Sequence, residues 1–310
     1  MRELTAKTRT IGLILPTLPQ GADPNWDIGK IASSGEELGA DVLWVCDHLA
    51  WHSPVIECFT ALAIAANSTR NCLVGSGVLQ LPLRPTQLVA KTAASLQMVS
   101  NGRLILGVGV GVHEGEYDAL EVGFHERGKR VEQAIDQLRT IWSTGTASDR
   151  ETRYKQLPVP GEIPIWIGGS SEYSLSRAAR LGDGWMPLFV PPEKLARQIG
   201  ELDDQAVALG RQPFEITKSI VLFVSTDSKM SSTSIKSRGI DWMGSLYRLD
   251  PEKFSRHIVS GSPQECAQVI QEYYEVGVNH VVVYVTSDHP LDQFAQIQEA
   301  LGNFPIHLDQ

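Results

Sequence analysis

The 310-residue sequence has few cysteines, no long apolar run and no apolar stretch in residues 1–7, and each absence disfavours a class of protein. Its four cysteines form no close pair, which argues against a disulfide framework or a cysteine-based metal site and fits a reducing compartment. No segment approaches the roughly 20 apolar residues needed to span a bilayer, and residues 1–7 lack the apolar stretch of a secretory signal. We therefore expect a cytoplasmic protein. The cysteines are Cys46, Cys58, Cys72 and Cys266.

Positive charge is also scarce. The formal net charge is -9, and no basic cluster interrupts a composition of 42% hydrophobic and 20% charged residues. This balance is that of an ordinary globular protein. It disfavours nucleic acid or an anionic membrane as a partner, and leaves a small-molecule substrate as the expected one.

Glycines interrupt one apolar run in an informative way. Residues 74–82 read VGSGVLQLP, with Gly75 and Gly77 inside a segment that otherwise predicts a strand. Glycine packs nothing inside a strand, so such a pair suggests a bulge or a close backbone approach to a ligand. We predict that the strand bends at Ser76-Gly77-Val78 against a cofactor. An ordinary bulge in a buried strand is the alternative.

A second glycine pattern recurs along the chain. Gly39, Gly182 and Gly277 each follow a helical pattern and precede an apolar run within a few residues. Glycine at these positions can adopt the left-handed conformation that ends a helix before a tight turn into a strand. The recurrence predicts a repeated βα unit.

Eight apolar runs are predicted to be strands with both faces buried, as parallel strands inside a ring of helices require. They are residues 11–15, 42–46, 74–82, 103–108, 163–168, 185–187, 214–224 and 280–285. Helical patterns occupy residues 26–38, 87–100, 131–142, 172–181, 263–276 and 291–301. These elements predict a single-domain (β/α)8 barrel over residues 1–310, with a doubly wound sheet as the alternative.

One segment is too long for a plain connection. Residues 225–260 follow the seventh predicted strand and are rich in serine and lysine, with a possible short helix at 241–247. We interpret them as an insertion that forms either a substrate lid or a surface decoration.

In a barrel, functional residues belong at the carboxyl ends of the strands. The second strand ends at Asp47-His48, and the fourth runs into a glycine-rich loop that ends at His113. The fifth ends at residues 168–171, Gly-Gly-Ser-Ser, immediately before a helix, where a phosphate could bind the helix N-terminus. A plain helix cap is the alternative there. The loop GVGVGV lacks the spacing of a dinucleotide fingerprint.

Three stretches in this order resemble the luciferase-like monooxygenase superfamily. They are residues 36–49 (EELGADVLWVCDHL), the central part from Val74 to Ile135, and residues 163–187 (IPIWIGGSSEYSLSRAARLGDGWMP). The resemblance covers nearly the whole chain from Gly12 to Val285. It implies a (β/α)8 barrel whose mouth binds either coenzyme F-420, a deazaflavin, or FMN. It also implies a non-prolyl cis peptide at Gly77-Val78 behind the cofactor ring.

The resemblance favours the coenzyme F-420 branch, whose Asp-His pair next to the coenzyme matches Asp47-His48. The pattern departs from the sugar-phosphate dehydrogenase of that branch, because the general-acid glutamate would fall on Val112 and an asparagine contact on Gly115. Glu114 and Glu116 lie close by, and we expect both to be solvent-facing residues at a helix start. The residues expected to bind the cofactor are Asp47, His48, Ser76, Gly77, Val78, Gly109, Gly111, His113, Gly168, Gly169, Ser170 and Ser171.

His48 is the candidate catalytic residue. An imidazole titrates near neutrality, so beside a flavin-like ring it could exchange a proton as a hydride moves. A structural histidine bonded to Asp47 or to the backbone is the alternative. Trp51 and His52 are candidates for the substrate wall, and Trp44 and Trp166 are expected in the core.

Three functions remain open from the sequence. The first is a coenzyme F-420-dependent oxidoreductase that transfers a hydride between the coenzyme and a small organic substrate. The second is an FMN-dependent monooxygenase of luciferase type, which needs O2 and a reductase partner. The third is a barrel that binds a flavin or a phosphate compound without catalysis. The resemblance also implies a homodimer.

Overall fold

The architecture is a closed barrel of parallel strands surrounded by helices. The computed structural model describes residues 9–18, 27–146, 155–287 and 290–303. The strands in this part of the chain are β1 (Thr10–Ile14), β2 (Val42–Val45), β3 (Leu73–Ser76), β4 (Leu79–Gln80), β5 (Leu104–Gly109), β6 (Ile165–Gly168), β7 (Gly184–Met186), β8 (Thr217–Thr226), β9 (Ile258–Gly261) and β10 (His280–Val285). Eight of them form the barrel in the order β1, β2, β3, β5, β6, β7, β8 and β10, and the pairing of β10 with both β8 and β1 closes it.

Helices connect successive strands on the outside. The α-helices among the described residues are α1 (Ile28–Glu37), α2 (Cys58–Ser68), α3 (Thr86–Val99), α4 (Glu114–Ala119), α5 (Arg127–Thr144), α6 (Glu172–Leu181), α7 (Pro192–Ala208), α8 (Ser232–Tyr247), α9 (Pro263–Glu275) and α10 (Pro290–Gly302). None of these helices has both the length and the apolar character that a membrane span requires.

The predicted fold class is confirmed, because the parallel sheet closes on itself instead of remaining open as a doubly wound sheet would. Most predicted strands agree with the observed ones to within two residues. The seventh predicted strand begins too early: residues 213–215 form a short 3-10 turn in which Phe214 is 66% exposed, and β8 starts at Thr217. The predicted start of the first helix, Trp26, lies outside the described residues.

Alternation along the strands divides the apolar core into two clusters. In β2, Leu43 and Val45 belong to the cluster between the barrel and the helices, whereas Val42 and Trp44 belong to the cluster inside the barrel. This two-sided burial explains why the barrel strands are apolar throughout. The predicted core positions of Trp44 and Trp166 are confirmed, since both are 2% exposed or less.

The interior of the barrel is filled by a hydrogen-bonded aromatic group. Trp44 Nε1 donates to His280 Nε2 at 3.0 Å, and the His280 Nδ1 lies 2.8 Å from the Thr10 hydroxyl. Burial lowers the pKa of His280 to about 3, so the imidazole is neutral and can accept the indole proton. A Cβ at Gly12 or Gly75, on the strands either side of β2, would come within 2.5 Å of the Trp44 ring. The indole, therefore, accounts for glycine at both positions.

The three helix-ending glycines do not share one conformation. Gly39 and Gly277 have positive φ values of 89° and 100°, as the pattern predicts. The prediction is wrong for Gly182, whose φ is -92°. Space is the requirement there, because a Cβ would lie 2.9 Å from Ile167 Cγ1 and 3.0 Å from the Gly184 carbonyl oxygen.

The segment after β8 is more ordered than the sequence predicts. The possible helix at 241–247 begins at Ser232, because the Ser231 side chain accepts from the Ser234 N–H and caps the helix. β9 then pairs in parallel with the end of β8 outside the closed barrel. Arg248, in the left-handed conformation at the end of α8, donates to the His52 carbonyl oxygen at 3.4 Å. The insertion thus reaches across to the loop after β2.

Candidate functional site

His48 and Glu116 form a hydrogen-bonded pair at the carboxyl end of the barrel. His48 follows β2, and Glu116 lies in the first turn of α4, which follows β5. The His48 Nδ1 and Glu116 Oε2 are 3.0 Å apart. The other carboxylate oxygen accepts from the Leu49 and Ala50 N–H groups at 2.8 and 3.1 Å. Glu116 therefore fixes both the imidazole and the backbone that carries it.

The expectation that Glu116 faces solvent is wrong. Its side chain is 2% exposed, whereas Glu114 is exposed as expected. Burial would raise the pKa of Glu116, but hydrogen bonds from His48, the Ala50 N–H and Gln80 outweigh it and lower the pKa to about 2. The carboxylate is consequently ionised at neutral pH.

This ionisation determines which nitrogen of His48 is available for chemistry. A carboxylate only accepts hydrogen bonds, so the Nδ1 of His48 carries the proton that it shares with Glu116. The Nε2 of the neutral ring is then a lone pair, and none of the described residues hydrogen-bonds it. An imidazole held in this way can take up or release a proton at Nε2, and the carboxylate stabilises the charged ring.

Asp47 is linked to the His48-Glu116 pair through Gln80 and is itself bound by Arg84. Its two carboxylate oxygens accept from the Arg84 guanidinium, both at 2.7 Å, and one also accepts from the Gln80 N–H at 2.9 Å. The Gln80 side chain in turn donates to the Asp47 carbonyl and to Glu116. The Asp47 carboxylate is fully buried against these groups. The expected contact between Asp47 and a cofactor stays a prediction.

Three aromatic side chains gather around His48. The His48 and Trp51 rings stack with centroids 3.9 Å apart, and the His113 ring lies edge-on to Trp51 at 4.6 Å. His52 packs on Trp51 at 4.7 Å. The pKa of His113 is lowered by burial and by His48, and that of His52 by burial and by Arg248. The structure thus brings together the four ring-bearing residues that the sequence singles out here.

The bend in the third strand lies where the sequence predicts it. β3 ends at Ser76 and β4 begins at Leu79, and the intervening Gly77-Val78 peptide bond is cis. Ser76 Oγ donates to the Gly107 carbonyl at 2.7 Å. A Cβ at Gly77 would lie 3.6 Å from Met186 Sδ and from Trp44, which is ordinary van der Waals contact. Glycine is therefore not sterically required at position 77.

Other glycines of the predicted site make room for neighbouring side chains. A Cβ at Gly109 would come within 2.7 Å of Val78, and one at Gly168 within 2.8 Å of it. A Cβ at Gly111, whose φ is 70°, would come within 2.2 Å of Gln80 Oε1. Packing alone thus accounts for these three glycines, and their contact with a cofactor stays a prediction.

The Gly-Gly-Ser-Ser turn leads from β6 into α6. Ser170 Oγ donates to the Leu188 carbonyl at 2.6 Å, and Ser171 Oγ accepts from the Ser174 N–H at 3.2 Å as the helix cap. The Glu172 and Tyr173 N–H groups belong to the first turn, which has no intrahelical partners. Gly169 precedes them with a φ of 115°. The serine hydroxyls therefore hold the turn, and its N–H groups remain as donors for an anion.

The mouth fits a flat heteroaromatic cofactor. Thr17 Oγ1 and Trp51 Nε1 are buried without a hydrogen-bond partner among the described residues. Gly77 and Val78 are half-buried, and Val78 lies against Gly168 at the end of β6. Polar edges of a flavin or deazaflavin ring would satisfy such atoms, which are costly to leave unpaired. The first turn of α6 would suit the phosphate that both candidate cofactors carry.

Two residues of the site have no clear sequence signal. Gln80 and Arg84 resemble any strand or loop residue, and only their tertiary contacts with Asp47 and Glu116 reveal their places. Glu116 has one usable signal, since a helix that starts directly after a barrel strand places its first turn at the mouth.

Comparison with known proteins agrees with the fold. The model of the luciferase-like monooxygenase family matches residues 13–234. A Mycobacterium tuberculosis protein, provisionally named a coenzyme F-420-dependent oxidoreductase, is 26% identical over 325 residues, covering 91% of this chain and 90% of its own. A solved F-420-dependent secondary alcohol dehydrogenase, in complex with an F-420-acetone adduct, superposes with a TM-score of 0.79 at 19% identity, over 95% and 99% of the two chains. Monooxygenase RslO1 from Streptomyces bottropensis superposes with a TM-score of 0.77 at 20% identity, over 94% and 97%. The chain belongs to the luciferase-like monooxygenase family.

Proposed function

We propose that the protein is a coenzyme F-420-dependent oxidoreductase that transfers a hydride between the coenzyme and a small organic substrate. The observation that carries this proposal is the His48-Glu116 pair, which leaves His48 Nε2 available at the barrel mouth. The name of the Mycobacterium tuberculosis relative supports the choice of coenzyme.

His48 serves as the acid-base group in this proposal. The deazaflavin ring, when bound, accepts or supplies the hydride at a ring carbon. When an alcohol is oxidised, its carbon loses a hydride and its hydroxyl loses a proton, and His48 Nε2 takes that proton. In the reverse direction the protonated His48 donates to the oxygen of the carbonyl compound. Glu116, ionised and buried, stabilises the imidazolium in both directions.

The residues around the mouth would hold the coenzyme. Backbone at Ser76-Gly77-Val78 would lie behind the ring, and Thr17 Oγ1 and Trp51 Nε1 would meet its polar edges. The N–H groups at the start of α6 would bind its phosphate. Trp51, stacked on His48, excludes water from one face of the imidazole.

The second candidate is an FMN-dependent monooxygenase that uses O2 and a partner reductase. The structural similarity to monooxygenase RslO1 favours retaining it. Its acid-base group would be the same histidine, so the geometry of His48 does not separate the two candidates.

Titration of the purified protein separates them. We expect coenzyme F-420 to bind at micromolar concentration, measured by quenching of its fluorescence, and FMN to bind at least tenfold more weakly. The opposite order would support the monooxygenase. Binding of neither compound, with a phosphorylated metabolite bound instead, would support a barrel without catalysis.

A further inference from the structure

A second set of aromatic rings, from the later part of the chain, lies at the carboxyl end of the barrel. Phe189 follows β7, Phe223 lies on β8 and Tyr284 on β10, and their rings stack in sequence at 5.3 and 4.9 Å. Trp242, on α8, lies edge-on to Tyr284 at 5.4 Å, and Tyr247 packs near Phe223 at 6.4 Å. We call this set the aromatic wall.

The wall is only partly closed. Phe223 and Tyr284 are buried, at 2% and 6% exposure, whereas Trp242, Tyr247 and Phe189 are partly buried and pack against the cluster inside the barrel. Leu188, Cys46 and Val78 are partly buried members of the same cluster. Apolar side chains that remain accessible from several elements at once form the lining of a binding pocket rather than its filled interior.

One polar atom of the wall lacks a partner. Trp242 Nε1 is buried, and no described residue accepts its hydrogen bond. A buried indole N–H without an acceptor is costly, and indoles in cores usually find one. Trp142 illustrates the contrast, because its Nε1 donates to the Ala90 carbonyl at 3.1 Å. The Trp242 N–H is therefore a donor available to a ligand oxygen.

The cations near the wall do not face it as a phosphate site would require. Arg238 pairs with Asp227 and donates to the Thr226 carbonyl. Arg248 is exposed and donates to the His52 carbonyl, and Lys253 and Arg256 are exposed. Burial raises the pKa of the Cys46 thiol to about 12, although its hydrogen bond with Tyr284 lowers the pKa in part. The thiol is therefore uncharged at neutral pH and adds no charge to the wall.

We propose that the aromatic wall binds the substrate of this site, an uncharged molecule with an aryl or bulky apolar body and an acceptor oxygen, to which Trp242 Nε1 donates. This inference rests on the proposed function only in taking the bound molecule to be the substrate that His48 serves. A sugar phosphate is disfavoured, because among the described residues no arginine or lysine lies over a ring of the wall, and the imidazole that packs on Phe189, His257 at 4.9 Å, is exposed.

Indole NMR spectra of the full chain test the proposal without any coenzyme. The protein is labelled with 15N-tryptophan, and the Trp242 Nε1–H signal is assigned from the Trp242→Phe spectrum. The probes are acetophenone and ethylbenzene, which share the aryl body and differ in the carbonyl group. We expect acetophenone to shift the Trp242 signal and to bind about tenfold more tightly than ethylbenzene, the usual effect of one hydrogen bond.

Two variants show whether the preference for acetophenone depends on Trp242. In Trp242→Phe the two probes should bind equally, whereas Trp142→Phe removes an indole N–H in the helical layer and should leave the tenfold preference intact. Equal binding of the two probes to the wild type, binding of neither, or a Trp242 signal that responds to glucose 6-phosphate at lower concentration than to acetophenone would overturn the proposal. If Trp242→Phe does not fold, the relative affinities of the wild type for acetophenone and ethylbenzene still decide the proposal, because they need no assignment of the Trp242 signal.

A coenzyme titration keeps this proposal separate from the proposed function. Acetophenone binding as expected, together with failure of coenzyme F-420 to bind, would retain the aromatic wall and reject the coenzyme F-420-dependent reaction. Binding of coenzyme F-420 without a preference for acetophenone over ethylbenzene would retain the proposed function and reject the aromatic wall as the substrate site.

Discussion

The side chain of Val78 packs directly over Gly168, such that a Cβ at position 168 would lie 2.8 Å from Val78 Cγ1 and 2.9 Å from Cγ2. We expect Gly168→Ala to destabilise the protein by about 1–3 kcal/mol through overpacking. Val78→Ala removes both Cγ atoms and leaves the nearest side-chain atom, the Cβ, at 3.4 Å. The double variant should therefore recover most of the loss. Urea denaturation of the four proteins measures the coupling, and additive losses would show that the two sites do not interact.

Removal of the Glu116 charge should lower the stability of the folded protein. The carboxylate accepts four hydrogen bonds, and an amide can accept them at only one of its two positions. We expect Glu116→Gln to lower the free energy of unfolding by about 2–4 kcal/mol. Chemical denaturation measures it, with Glu114→Gln as the exposed control on the same helix. A loss as small as that of the control would contradict the buried network.

The low pKa of the Glu116 carboxylate predicts that the protein loses stability in acid. The pKa of Glu116 is about 2 in the folded protein against 4.5 as its ordinary value. Between these values the unfolded chain binds a proton that the folded chain does not, so stability falls as the pH falls through this window. Glu116→Gln should lose this part of the slope, measured as unfolding free energy against pH.

The lowered pKa of His280 predicts a second loss of stability, at higher pH than the one that Glu116 causes. Burial lowers its pKa from 6.5 to about 3, so between these values only the unfolded chain carries the proton. Stability should fall as the pH falls from about 6.5, by roughly 1.4 kcal/mol per pH unit within the window. His280→Gln should flatten the dependence between pH 6 and 5, where most carboxylates do not titrate. An unaltered slope in the variant would assign the effect to other groups.

His48→Gln distinguishes acid-base chemistry from architecture. Glutamine can still donate to Glu116, so the fold and the melting temperature should persist. Turnover should fall by roughly 10²-fold or more, and the limb of the pH–rate profile that belongs to this imidazole should disappear. Steady-state kinetics with coenzyme F-420 measure both. A variant with a normal rate and a normal profile would remove His48 from the reaction.

The phosphate role of the α6 turn can be tested without loss of its cap. Aspartate and asparagine cap helices as well as serine does, so Ser171→Asp and Ser171→Asn should both retain α6. Only the aspartate adds a negative charge at the proposed cradle, and it should weaken coenzyme F-420 by about tenfold or more. Binding of the phosphate-free deazaflavin fragment should change little. Equal losses for the two ligands would move the phosphate elsewhere.

Sequence patterns predict those parts of the fold that depend on local periodicity. The run at 280–285 and the helix at 172–181 are confirmed, because apolar burial and a serine cap act within a few residues. The burial of Glu116 was not predictable in the same way. Acidic residues at a helix start are normally exposed, and its partners His48, in the loop after β2, and Gln80, in β4, lie 68 and 36 residues away in the chain.

The length of α8 shows a related limit. Residues 232–238 read STSIKSR, which has weak intrinsic helix preference, and tertiary packing of Ile235 and Met243 against the barrel supplies the stabilisation that the local sequence lacks. Trp242 acquires its position only through that packing.

Because of the insertion after β8, the residues that handle the proton and several of those that bind the substrate lie in different parts of the chain. His48, Gln80 and Glu116 come from the first 120 residues, whereas Trp242 and Tyr247 come from a segment that joins the barrel at both of its ends. Exchange of residues 232–256 between relatives should therefore transfer substrate preference while the proton-handling residues remain in place. In a laboratory evolution experiment, mutations that alter substrate range would accumulate in this segment and leave the first half of the chain unchanged.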